Sequence, residues 1–153
     1  MPPGVPRPHI WAPILPQLFR DSLHDDFGTW PVGYIPFGGA DFGEVRAVAD
    51  AIGDGDDSAY YDAWNAAGDR LNGEAEAALA KGHDASARAL YLRASVFHCT
   101  SFHPLYGSPV DPRLIAAFRK GVAAFDKALA LGPFPAAPLE IPFGETPMPA
   151  YFI

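Results

Sequence analysis

The densest group of chemically versatile side chains in the sequence consists of His98, Cys99 and His103. A zinc site needs three or four ligands, and two ligands on one helix share a face when they are three or four residues apart. The two histidines are five residues apart with no acidic residue beside them, so we predict no metal site. Adjacent residues on a helix point in different directions, so neither histidine is placed to activate the Cys99 thiol. We therefore predict no catalytic residue and no cofactor in this chain.

A stripe of aromatic and hydrogen-bonding side chains is a better candidate for a ligand site. Tyr91, Ser95, His98 and Phe102 recur at steps of three and four residues, which places them on one face of a helix. Aromatic area combined with hydrogen-bonding groups suits a small aromatic or polyketide-like ligand. The same residues could instead belong to the core, and the sequence leaves both alternatives open. The remaining pocket candidates, which share this ambiguity, are Tyr60, Trp64 and His103.

Helices must position these side chains. We predict four of them, over residues 41–52, 58–81, 84–102 and 112–131. Asp41, Asp84 and Asp111 are the predicted N-caps, because a short side chain with an acceptor oxygen satisfies the first free N–H groups of a helix. The second and third helices are joined by only two residues, which predicts an antiparallel pair.

Apolar residues at helical spacing indicate which faces pack together. In the second helix this stripe consists of Tyr60, Trp64, Ala67, Leu71, Ala75 and Ala78. In the last helix an apolar seam is formed by Ile115, Phe118, Val122, Phe125 and Leu129. The pattern predicts a helical bundle with a continuous apolar interior.

Prolines and glycines divide the chain into three parts. Residues 1–40 are predicted to form a proline-rich irregular arm, and residues 41–132 a helical domain. Residues 133–153 are predicted to form a linker and a β-hairpin, with a Gly-Glu-Thr turn between two apolar segments. The arm contains apolar residues that we expect to act as packing anchors, namely Ile10, Trp11, Ile14, Leu15, Leu18 and Phe19.

Composition narrows the classes of function. The chain has 153 residues and a formal net charge of −7, and it lacks a basic cluster, so binding to nucleic acid is not expected. No apolar run reaches the roughly 18 residues that a membrane span needs. A single cysteine rules out an internal disulfide and fits a reducing compartment, and no secretory signal is evident. We therefore predict a cytoplasmic protein that does not enter the membrane.

Several sequence segments resemble a known family. They are AWNAA (residues 63–67), AKGH (80–83), YLRAS (91–95) and IPFGETPMPAY (141–151). The first three resemble the helical cap that precedes the catalytic domain in one group of α/β-hydrolases, and the last is similar to the first hairpin of that domain. The group includes 2,6-dihydroxypseudooxynicotine hydrolase, fungal pigment chain-shortening hydrolases and esterases related to the fermentation-respiration switch protein. The resemblance covers about residues 40–153.

The resemblance implies a mainly α fold, in which a helical cap of about four helices precedes the hairpin that would start an α/β-hydrolase sheet. It implies a cap or lid that shapes the substrate pocket of a serine-dependent hydrolase, acting on an ester or on a C–C bond beside a ketone. The chain has no G-x-S-x-G motif, so the implied triad lies outside it, and the sequence leaves open whether this chain is itself an enzyme.

The C-terminal residues Tyr151, Phe152 and Ile153 are large and apolar, and they end a strand whose edge would be unpaired. We expect the sequence to be the front part of something longer. These residues would then be covered by the remaining hydrolase domain or by a second chain, including a second copy in a homodimer.

A binding module is the alternative. The helix pair from Ser58 to Phe102 resembles a tetratricopeptide-like unit, which would bind proteins without any enzymatic activity. Such units need about three copies for stability, and no second copy follows at a spacing near 34 residues.

Because the chain has no G-x-S-x-G motif, we make one direct prediction. The purified chain should not hydrolyse an activated aryl ester such as p-nitrophenyl acetate above the rate in buffer. Turnover that is abolished by Cys99→Ala would contradict both the cap interpretation and the rejection of the thiol as a nucleophile.

Overall fold

The computed structural model describes residues 17–133 and 136–152. Its α-helices are α1 (Ser22–Gly28), α2 (Phe42–Ile52), α3 (Asp57–Leu79), α4 (Asp84–Ser101) and α5 (Pro112–Ala130). Two 3₁₀ helices cover Trp30–Phe37 and His103–Leu105, and strands β1 (Ala137–Ile141) and β2 (Met148–Phe152) form an antiparallel hairpin. The predicted mainly α fold with a C-terminal hairpin is confirmed. No helix in these ranges is both long and apolar enough to cross a membrane.

The helix caps follow the sequence prediction with one correction. Asp41 accepts hydrogen bonds from the backbone N–H groups of Gly43 and Glu44, and Asp111 accepts one from Arg113. Asp84, however, is the first residue of α4 rather than its cap. Gly82 adopts a left-handed conformation, and the next residue, His83, is the N-cap of α4. The His83 side chain makes no capping hydrogen bond.

The described part of the predicted irregular arm contains regular structure. Asp21 caps α1, and the Asp25 carboxylate accepts hydrogen bonds from the backbone N–H groups of Leu18 and Phe19 at 2.7 and 2.9 Å. These bonds fix the chain ahead of α1, so that Phe19 is buried against the core with Leu18 beside it, as expected for packing anchors. The other expected anchors, Ile10, Trp11, Ile14 and Leu15, lie outside the described residues.

The main core lies between α3 and α4, which pack as the predicted antiparallel pair. Tyr60, Trp64 and Leu71 of α3 are fully buried. The Trp64 ring meets the Phe97 ring of α4 edge-on, with 4.9 Å between the ring centroids, and it stacks on the Phe19 ring with 6.0 Å between the centroids. Each large side chain buried in this way contributes roughly 1.5–3 kcal/mol, so these rings hold α4 and the segment before α1 on one helix.

Helix α5 packs on α4 with small side chains as its fully buried residues. Ala117, Gly121, Ala124 and Ala128 are buried. A Cβ atom at Gly121 would lie 2.6 Å from Cys99 Sγ and 3.3 Å from the Ser95 carbonyl oxygen. At this point the two backbones therefore approach too closely for a larger residue. In the predicted apolar seam of α5, Ile115 and Phe118 are exposed, and the other three residues are half-buried.

The hairpin contacts α5 through Tyr151. The Tyr151 ring packs edge-on against Phe125 at 5.4 Å, and its hydroxyl donates a hydrogen bond to the Asp126 carboxylate. Phe143 and Phe152, in contrast, are mostly exposed. The hairpin therefore contributes little to the helical core.

Two glycines of α3 should respond oppositely to the same substitution. A Cβ atom at Gly68 would lie 2.7 Å from the His98 ring, whereas a Cβ atom at Gly73 would meet nothing within 4 Å. We expect Gly73→Ala to raise the free energy of unfolding by about 0.5–1 kcal/mol, because alanine favours the helix. Gly68→Ala should lower it by about 1–2 kcal/mol, because the ring must move. Urea denaturation measures both, and equal changes would contradict the close packing at Gly68.

Candidate functional site

An apolar groove of about 450 Å³ lies along α4, flanked by the first 3₁₀ helix and α5. The α4 side contributes Leu92, Ser95, Val96, Cys99 and Thr100, followed by His103 at the start of the second 3₁₀ helix. The opposite side consists of Trp30, Tyr34, Phe37 and Gly39, and α5 contributes Phe125. The α4 residues recur at steps of three and four, so one helix face forms the floor of the groove.

The aromatic wall is held against α4 by ring contacts and by a glycine. The centroid of the Trp30 ring lies 5.2 Å from that of the Phe27 ring and 5.0 Å from that of the His103 ring. Gly39 lets the wall approach α4, because a Cβ atom there would lie 2.9 Å from Tyr34 Cβ and 3.3 Å from Val96 Cγ2. The wall is therefore part of the folded structure, although Trp30 remains 53% exposed at the rim.

The groove is electrically neutral in a chain that carries a net charge of −7. None of the described residues that line it is Asp, Glu, Lys or Arg. Burial lowers the pKa of His103 below its usual 6.5, so the imidazole is neutral at pH 7. Burial also raises the pKa of the Cys99 thiol, which disfavours the nucleophilic thiolate. Among residues 17–133 and 136–152, no three His, Cys, Asp or Glu side chains come together as metal ligands.

The structure separates the predicted pocket residues into two groups. Ser95 and His103 line the groove. The other five lie in the packed interior and do not line it; they are Tyr60, Trp64, Tyr91, His98 and Phe102. The predicted stripe lies on one face of α4, but most of the groove floor is the neighbouring face, displaced by about one residue along the sequence.

Sequence reasoning missed most of the groove. Leu92, Val96 and Thr100 repeat every four residues, a signal that could have identified this face of α4. The aromatic wall from Trp30 to Phe37 gave no comparable signal, because its position depends on tertiary contacts.

His98 has a structural place between three helices. It is 2% exposed, and its Nδ1 lies 2.9 Å from the Asn65 side-chain oxygen of α3. Its Nε2 lies 3.7 Å from Asp69, whose carboxylate also accepts hydrogen bonds from Lys120 of α5 at 2.8 Å. Burial lowers the pKa of His98 to about 4, with Asp69 opposing the shift and Lys120 adding to it.

Comparison with known proteins gives a consistent relationship. No protein-family model matches the chain. It is 40% identical over 126 residues to hydrolase acrC of Aspergillus aculeatus, covering 82% of this chain and 29% of that protein. It is 37% identical over 114 residues to 20-hydroxy-prefusarin hydrolase FUS2 of Gibberella moniliformis, covering 74% of this chain and 27% of that protein.

A solved structure supports the same relationship. The crystal structure of 2,6-dihydroxy-pseudo-oxynicotine hydrolase matches with a TM-score of 0.62 and 25% identity, over 78% of this chain and 32% of that one. The chain thus spans less than a third of the length of these relatives. The resemblance to this group of hydrolases that the sequence indicated is confirmed over that part.

The buried His98 makes a prediction about pH. Its pKa is about 4 in the folded chain and near 6.5 when unfolded, so between these values the unfolded state binds more protons. The free energy of unfolding should therefore fall as the pH drops from 6.5 towards 4, with this histidine contributing on the order of 2–3 kcal/mol. Urea denaturation of His98→Gln should show a free energy of unfolding that depends less on pH over this range.

The matched control is His83→Gln, because His83 is exposed at the start of α4. This variant should keep the pH dependence of the unmodified chain. If His98→Gln also keeps it, His98 is not the group responsible.

Proposed function

From its relationship to the α/β-hydrolases, we propose that this chain is the cap portion of a serine-dependent hydrolase, with the catalytic triad supplied from outside these residues. The reaction would be hydrolysis of an ester or of a C–C bond beside a ketone. A cap of this kind excludes water from the reacting groups and shapes the substrate pocket.

The observation that carries this proposal is a partly exposed apolar surface formed by α5 and by Tyr151 of β2. We call this surface the outer face; it consists of Ile115, Phe118, Val122, Phe125 and Tyr151. Phe118 is 52% exposed, and Phe125 also lines the groove, so the outer face and the groove are continuous. Large exposed apolar surfaces of this type mark interaction sites, and a hydrolase domain would bury this one.

The hairpin supports the same partner. Phe152 is 70% exposed, and a two-stranded hairpin is marginally stable by itself in water. A hydrolase sheet that added strands to it would cover Tyr151 and Phe152 and pair the free backbone groups at the edge. Ile153, which we expect to be covered as well, lies outside the described residues.

The groove supports a proposal about the class of substrate. A neutral, largely apolar site with aromatic walls favours an uncharged aromatic molecule, because burying a charge without a partner is costly. Two of the related hydrolases are named for 20-hydroxy-prefusarin and for 2,6-dihydroxy-pseudo-oxynicotine. We propose a small aromatic or polyketide-like substrate whose apolar part lies in this groove.

The direct test is to sequence the gene past the codon for Ile153 and to express the chain continuously with whatever follows. We expect an in-frame G-x-S-x-G motif and hydrolysis of aryl esters that is lost when its serine becomes alanine. A reading frame without this motif, or a longer protein without serine-dependent hydrolysis, would contradict the proposal.

The cap role can be tested in that longer protein. Val96→Phe narrows the groove and should raise the KM for a naphthyl ester several-fold. The KM for an acetate ester of a small alcohol should be unchanged. Ala89→Phe, on the exposed side of α4, is the matched control and should change neither value. Equal effects on both esters would show that the groove does not hold the substrate.

In the absence of a partner, the outer face should drive self-association. We expect Phe118→Ser and deletion of residues 148–153 each to increase solubility and to shift sedimentation velocity profiles towards the monomer. Leu23→Ser, an exposed leucine on α1, is the control and should have little effect. A clean monomer before any substitution would contradict the role of the outer face.

A further inference from the structure

His103 lies at one end of the groove with its ring held on several sides. It stacks on the Phe27 ring with 5.0 Å between the ring centroids. The centroids of the Trp30 and Phe102 rings lie 5.0 and 5.4 Å from that of His103. Its Nδ1 is 3.0 Å from the Tyr106 hydroxyl, which fixes the rotation of the ring. His103 lines the groove, and Nε2 is the ring nitrogen that is not engaged with Tyr106.

Ser95 provides a second hydrogen-bonding group on the same floor. It is almost fully buried, and it lines the groove. Ser95 lies within α4, and His103 lies just beyond the C-terminal end of this helix, at the start of the second 3₁₀ helix. Thr100, in contrast, already donates its hydroxyl hydrogen to the Val96 carbonyl oxygen at 2.8 Å.

We propose that His103 and Ser95 are specificity-determining residues that bind the two polar ends of an uncharged, planar aromatic ligand, with Tyr106 as the positioning residue for His103. The apolar surface between them would contact the rings of the ligand, and hydroxyl or keto groups at opposite ends would reach the two side chains. Because the imidazole can present either a donor or an acceptor at Nε2, both kinds of group are suitable.

The charge of the groove supports this ligand class over an anionic one. No lysine or arginine lines the groove to pair with a carboxylate, and burial keeps His103 neutral at pH 7 by lowering its pKa. A carboxylate would therefore lose its hydration without gaining a charged partner. The proposal rests on the proposed function only in identifying the ligand as the aromatic part of the substrate.

The test uses this chain and three probes of similar size: 2,6-dihydroxynaphthalene, 2-naphthol and 2-naphthoate. Cys99, the only cysteine in the sequence, lines the groove and reports its occupancy through the rate of alkylation by iodoacetamide. We expect the diol to protect Cys99 at the lowest concentration, 2-naphthol at a higher one, and 2-naphthoate least.

Variants then assign the contacts. His103→Phe keeps a ring in place but removes Nε2, and we expect it to weaken binding of the diol about threefold to tenfold, the value of one hydrogen bond between neutral groups. Ser95→Ala should have a similar effect, while His103→Gln, which can still form the hydrogen bond, should recover part of the loss. His83→Phe, at an exposed histidine, is the matched control and should leave binding unchanged.

Several results would overturn the proposal. They are binding of 2-naphthoate as tight as that of the diol, failure of the diol to protect Cys99, or an unchanged preference for the diol over 2-naphthol in His103→Phe. A dimer in which Cys99 is unreactive without any probe would also do so, because a second copy would then occupy the groove. These measurements need no hydrolysis, so their failure is distinguishable from failure of the proposed cap function.

Discussion

The close approach of α4 and α5 is the constraint on which the rest of the structure depends. At Gly121 the two helices leave no room for a side chain, because a Cβ atom would meet Cys99 Sγ at 2.6 Å. The buried residues of α5 are accordingly Ala117, Gly121, Ala124 and Ala128, and its large apolar residues Ile115 and Phe118 are exposed. That orientation creates the outer face and brings Phe125 to the groove. The same packing that stabilises the helices thus leaves an apolar surface for another part of a protein.

The groove follows from a second close contact. Gly39 allows the 3₁₀ helix from Trp30 to Phe37 to approach Val96, and the rings of Phe27, Trp30 and His103 hold it there. Charged residues remain outside this region and pair with one another on the surface, as Lys120 does with Asp69. A neutral, aromatic groove therefore adjoins a partly exposed apolar face, and this arrangement supports the proposed cap function.

Local rules accounted for much of the fold and for little of the site. Helices α2 to α5 could be predicted because caps such as Asp41 and Asp111 and the turn at Gly82 act on neighbouring residues. Helix α1 was missed because the hydrogen bonds of Asp21 and Asp25 were hidden among prolines and glycines. The orientation of α5 depends on the space available beside α4, which periodicity cannot show. The groove was missed in the same way, since its wall and floor come from distant segments, and only Ser95 and His103 were identified in advance.

The central claim is that the outer face is covered by a hydrolase domain. Hydroxyl-radical footprinting measures it directly, by comparing the oxidation rates of Phe118, Tyr151 and Phe152 in this chain and in a polypeptide that joins it to the proposed hydrolase domain. The account predicts rapid oxidation of all three side chains in the chain alone and strong protection when the proposed hydrolase domain is present, with Leu23 of α1 unchanged in both. Equal oxidation rates in the two proteins would contradict it.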